Sequence, residues 1–78
     1  MGLDDYEIKI LKKLLEKSMW LSTHAVTKLT GYSWETIDNY LHQLEREDFV
    51  LNKKFGDKNM WKFNFSKYQS LREEIRKA

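Results

Sequence analysis

The stretch from Gly31 to Val50 constrains this chain most. Gly31 tolerates positive φ at no steric cost, so it can end one helix and turn the chain sharply into Ser33, whose hydroxyl is suited to cap the next. Placing Ile37 at zero and advancing about 100 degrees per residue brings Tyr40, Leu41 and Leu44 within about 60 degrees of it. That stripe is expected to face a core. Glu35, Asp38, Asn39, His42 and Arg46 fall on the opposite side, an entirely polar face. The segment closes on the apolar pair Phe49-Val50 and runs into a basic stretch rich in β-formers, so the order it permits is helix, glycine turn, helix, hairpin.

Seventy-eight residues make one domain, 1–78, and so short a chain buries only about 60 to 65% of its unfolded surface. Its core is therefore thin, and a second subunit would help it. Four Phe, four Tyr and three Trp supply large apolar area per residue, while the absence of cysteine rules out a disulfide or a thiolate zinc site. That absence fits a reducing compartment, no apolar run approaches the roughly 20 residues needed to span a bilayer, and no secretory signal is visible. A cytoplasmic protein with no membrane contact is expected. The net charge of +2 conceals a division: residues 1–51 hold six Lys/Arg against nine Asp/Glu, a balance of −3, and residues 52–78 hold eight against three, a balance of +5. Affinity for a polyanion should reside in the C-terminal third.

Asp4 with Glu7 reads as a capping box, and Ile8, Leu11 and Leu15 with Ile10 and Leu14 beside them recur at helical spacing, which predicts a first helix over about 5–17. Met19-Trp20-Leu21 is either a minimal strand or buried chain. Ser22 and Thr23 can cap a second helix of about 23–30 through Val26 and Leu29. Val50–Phe55 and Met60–Phe65, separated by Gly56-Asp57-Lys58-Asn59, predict a hairpin in which Trp61, Phe63 and Phe65 alternate with Lys62 and Asn64. Ser66 with Gln69 makes another capping box, and Tyr68, Leu71 and Ile75 form a narrow stripe on a last helix over 66–78. The expected class is α+β, mainly α: three helices, a hairpin and a C-terminal helix.

From about Val26 to Phe65 these residues resemble the winged helix-turn-helix family of transcription regulators, in particular small MarR-like and archaeal or archaeal-virus forms. The resemblance is carried by Lys28-Leu29-Thr30-Gly31-Tyr32-Ser33 at the turn, and by Thr36-Ile37, Leu41, Leu44-Glu45 and Phe49-Val50 around the following helix. Two positions depart from the family pattern. Thr27 stands where alanine is usual, which suggests a hydroxyl bonded back to the preceding turn. Asp48 replaces the usual glycine before the apolar pair, and Asp tolerates left-handed geometry better than most residues.

The resemblance implies that the first turn of the third helix approaches DNA base edges, which places Ser33, Trp34, Glu35, Thr36, Asp38, Asn39 and His42 at the groove. Asn39 suits a bidentate contact to adenine and Glu35 could accept from cytosine N4, although an acid in a helix's first turn has a structural reason in the macrodipole. Trp34, on the flank of the stripe, either closes the seam between helices or offers its face to a thymine methyl; packing is the expected role. Lys53, Lys54, Lys58 and Lys62, with Asn59, sit on or beside the hairpin tip as phosphate contacts, the alternative being a solvated edge kept from aggregating by its lysines. Ser22, Thr23 and His24 open the second helix, where free N–H groups can hold a phosphate, though capping explains the two hydroxyls equally well.

His24 and His42 are the only histidines and have no cysteine partners, so no metal site or cofactor is expected, and no small-molecule ligand either. His42 four residues after Asp38 is an ordinary helix-face pair rather than a catalytic dyad, and no enzymatic activity is expected. Tyr6, Ile8, Tyr68, Leu71 and Ile75 on the terminal helices are candidates for a two-fold dimer that would set two recognition helices about 34 Å apart. The implied function is sequence-specific binding of double-stranded DNA by a homodimeric transcription regulator. The alternative is a winged-helix module that contacts protein within a larger assembly, which the acidic balance of residues 1–51 favours and the hairpin lysines oppose.

Overall fold

A computed structural model describes residues 3–66 and Gln69. Three helices, α1 (Asp5–Lys17), α2 (Thr23–Thr30) and α3 (Trp34–Arg46), pack on a sheet of β1 (Leu21–Ser22), β2 (Val50–Phe55) and β3 (Lys58–Phe63). The sheet is antiparallel with order β1-β3-β2. The last helix expected over 66–78, with Tyr68, Leu71 and Ile75, lies outside the described residues. Among the described residues no helix is long and apolar enough to cross a membrane.

Local chemistry sets each helix end. Asp4 Oδ1 accepts from the Glu7 amide at 2.8 Å and Glu7 Oε1 accepts from the Asp4 amide at 3.0 Å, closing the capping box of α1. Ser22 accepts from the Ala25 amide at the start of α2, and Ser33 from the Thr36 amide at the start of α3. Gly31 ends α2 at φ +79°, as the turn between α2 and α3 requires. The Thr27 hydroxyl donates to the His24 carbonyl at 2.6 Å, the back-bonding its sequence position suggested. Asp48 adopts φ +65° in the turn that leaves α3, and Asn64 clips this turn by donating its side-chain amide to the Asp48 carbonyl and its backbone amide to that of Phe49.

The core draws on every element: Ile10, Leu11, Leu14 and Leu15 of α1, Val26 of α2, Ile37, Leu41 and Leu44 of α3, Leu21, Val50, Trp61 and Phe63. The apolar stripe read around Ile37 is this core's α3 face. Ile8 is only half-buried, because its position on α1 turns it toward the charged outer side with Lys9, Lys12 and Lys13. A second, aromatic cluster lies at the α1 N-terminus, where Tyr6 stands 4.8 Å from Tyr32 and 5.4 Å from Tyr40 between ring centres. The Tyr40 hydroxyl donates to Asp4 Oδ2 at 3.0 Å, and this bond, with the negative charge behind it, raises the Tyr40 pKa above the usual 10.0.

Three features differ from expectation. The hairpin turn is two residues, not four: Phe55 pairs with Lys58, and of the central residues Gly56 and Asp57 only Gly56 has positive φ, the signature of a type II′ turn. That geometry matches the strand twist and draws Lys58 and Asn59 into β3, so the strand ends at Phe63 and Phe65 lies beyond it, its ring 5.3 Å from that of Phe63. Met19 is 56% exposed, so only Leu21 of its apolar run is buried, and the minimal strand at Leu21–Ser22 supplies a third strand.

Candidate nucleic-acid interface

One groove gathers most of the candidate residues. The start of α2 (Ser22, Thr23, His24), the start of α3 (Trp34) and the hairpin tip (Asp57, Lys58, Asn59) line an open depression of about 360 Å³. It brings together segments far apart in sequence: residues at the starts of α2 and α3, which the Gly31 turn links in the chain, and the tip of the hairpin. Free N–H groups at two helix starts, an exposed indole and the Lys58 ammonium therefore share one concavity, in which His24 and Asp57 also stand. His24 was named from sequence only as one of three residues opening α2, and Asp57 only as part of the hairpin turn. The only signals were their adjacency to Thr23 and to Lys58.

Along α3, the Ser33 hydroxyl donates to Thr36 Oγ1 at 2.9 Å, so these two side chains hold one another at the helix mouth. Glu35 and Asn39 are exposed beyond them. Asp38 Oδ1 lies 3.3 Å from His42 Nε2, and the His42 ring meets Trp61 edge-on at 5.1 Å. His42 is thereby held from two sides by its helix and by the sheet, less free than a purely polar face implies. Among the described residues no group of three or more His, Asp or Glu side chains could hold a metal ion.

Three expectations are corrected. Trp34 does not close the seam between helices; it is 56% exposed and lines the open depression at the start of α2. Thr23 is buried, and its Oγ1 accepts from Trp61 Nε1 at 2.9 Å, so its side chain is spent on the core and only its backbone remains at the groove. The four hairpin lysines do not form one face. Strand register and alternation put Lys54 with Asn59 and Trp61, and put Lys53, Lys58 and Lys62 on the opposite face with Leu51, Phe55 and Met60. Lys58 reaches the groove because it stands at the tip, whereas the Lys53 ammonium lies over the rings of Trp20 and Phe55.

Solved structures share this fold. AntR, described as an antimony-specific transcriptional repressor, superposes with a TM-score of 0.79 at 14% identity, over 91% of this chain and 63% of its own. BpsR of Bordetella bronchiseptica, whose DNA binding is described as regulated by 6-hydroxynicotinic acid, reaches 0.84 at 17% identity over 96% and 54%. Wild-type MarR from E. coli in its apo form reaches 0.82 at 10% identity over 97% and 57%. The fold is a winged helix-turn-helix. In its terms α2 and α3 are the helix-turn-helix, β2 and β3 the wing, and the class is mixed α and β with helix predominant. This chain spans between half and two thirds of the length of those three winged-helix proteins. No protein-family model matches the sequence, and no curated protein matches it either.

Proposed function

We propose that this protein is a transcription regulator that binds double-stranded DNA, with α3 in the major groove and the wing tip on the flanking phosphates. The observation that carries the reading is the groove in which both helix N-termini, Trp34 and Lys58 converge. Backbone amides there position phosphate, while Ser33, Trp34, Glu35, Thr36, Asp38, Asn39 and His42 stand on the helix that would face base edges. Likeness of fold to AntR and BpsR, described as a repressor and as a DNA binder, supports the same role. On the wing, Lys54 and, from its place at the tip, Lys58 are the phosphate contacts of this reading, with Asn59 beside them, while Lys53 and Lys62 lie farther from the tip on the face opposite Lys54. In this reading the protein acts as a homodimer in a cytoplasmic setting through Tyr6 and Ile8 of α1, together with Tyr68, Leu71 and Ile75, which lie outside the described residues.

Titration of a labelled random duplex at two salt concentrations tests this. Each engaged phosphate contributes about −0.9 to the slope of log affinity against log salt, so a wing gripping through Lys54 and Lys58 gives about −2 per subunit. Trp34→Ala is expected to weaken binding without lowering the melting temperature, since the ring has little packing to lose. Absence of duplex binding at both salts would assign the fold to contacts with protein instead.

A further inference from the structure

Apart from Lys58 at the hairpin tip, the face of the sheet turned away from Trp61 and Phe63 has no role in duplex binding as proposed, and its composition is unusual. Register places Leu51, Lys53 and Phe55 of β2 beside Lys62, Met60 and Lys58 of β3, with Trp20 one residue before β1. Phe55 is 50% exposed and Leu51 43%. No Asp or Glu occurs among these side chains. The Lys53 Nζ lies 5.8 Å from the centre of the Trp20 ring and 5.0 Å from that of Phe55, so one cation stands between two accessible aromatic rings.

We infer that this outer sheet face is a second binding surface, for single-stranded nucleic acid. A single strand offers base, phosphate, base in sequence; the face offers ring, ammonium, ring. Bases stack on Phe55 and Trp20 while Lys53 leaves its cation–π contacts for the phosphate between them, and Lys58 and Lys62 extend the cationic track along β3. The choice of nucleic acid over an acidic peptide follows from that alternation, because carboxylates would satisfy the lysines yet make no particular use of a cation flanked by two rings. Leu51 and Met60 add apolar floor, to which a base plane is indifferent in sequence terms, so little sequence preference is expected.

Fluorescence anisotropy with a fluorescein-labelled oligo-dT of about a dozen nucleotides, at about 50 mM salt, tests the surface. Wild-type protein should bind it, and Phe55→Ala, an exposed site whose loss leaves the core untouched, should weaken binding about fivefold or more. Lys53→Gln should weaken it and flatten the salt dependence by about 0.7 in slope. Both variants should keep the wild-type affinity for random duplex, whereas Trp34→Ala should lose duplex affinity and keep oligo-dT affinity, which separates this surface from the groove. The inference is overturned if oligo-dT does not bind, if Phe55→Ala binds it as wild type does, if Trp34→Ala abolishes the binding, or if a poly-glutamate peptide of equal charge displaces oligo-dT as well as unlabelled oligo-dA does.

Discussion

Three tryptophans in one short chain meet three different fates, and the difference is decided by neighbours rather than by the residue. Trp61 is fully buried, Trp34 is 56% exposed and Trp20 lies between. Burying an indole obliges its N–H to find an acceptor, and Thr23 is that acceptor at 2.9 Å. The bond joins the start of α2 to the middle strand across 38 residues of sequence, so a hydroxyl that looked like a phosphate ligand is a structural tie. Thr23→Val keeps the volume but leaves the indole donor without a partner, at a cost of about 1 to 3 kcal/mol. Urea denaturation should show a lowered midpoint with an unchanged slope, and an unaltered midpoint would mean that the bond contributes nothing.

The elements owe their ends to a few residues whose geometry the chain states in advance. Asp4, Ser22 and Ser33 cap their helices, and Gly31 and Asp48 take the left-handed conformation where α2 and α3 end. A Cβ at Gly31 would meet no atom within 4 Å, so the cost of Gly31→Ala is backbone strain alone, about 1 to 2 kcal/mol. Gly31→Asn should cost less, because Asn visits that region more readily. Thermal or urea unfolding of the two variants checks the order; equal stabilities would show that the α2–α3 turn had shifted to negative φ. All of this was legible because capping and αL turns act within three or four residues. The wing was legible as a hairpin but not in register, since Gly56-Asp57 and the longer Gly56-Asp57-Lys58-Asn59 loop satisfy the same local preferences. Pairing with β1 and with the helices selects between them, and a change of turn length alters which lysines share a face.

On the scale of the molecule, the charged outer side of α1 and the cationic–aromatic outer face of the sheet are distinct surfaces on one small body, 32 × 24 × 21 Å. Tyr6 packs against Tyr32 and Tyr40 yet remains 45% exposed, and Ile8 is half-buried among lysines, so the described part of the dimer surface proposed above is small. Sedimentation velocity at micromolar concentration is expected to show a dimer, and Leu71→Asp with Ile75→Asp should return it to monomer. A monomeric wild type would remove the paired half-site reading and leave single-site duplex binding to be judged by the titration. What the chain determined by itself, among the described residues, was a set of features of short period or short reach: the stripes of α1 and α3, the caps at Asp4, Ser22 and Ser33, the glycine turn and the alternation of the wing strands, because each depends on residues within one turn or one pleat. Only the tertiary structure decided that Trp34 is open, that Thr23 is spent on Trp61, and that Lys53 faces away from the groove. Those outcomes depend on strand register and on which elements meet, and a chain read one segment at a time carries no measure of either.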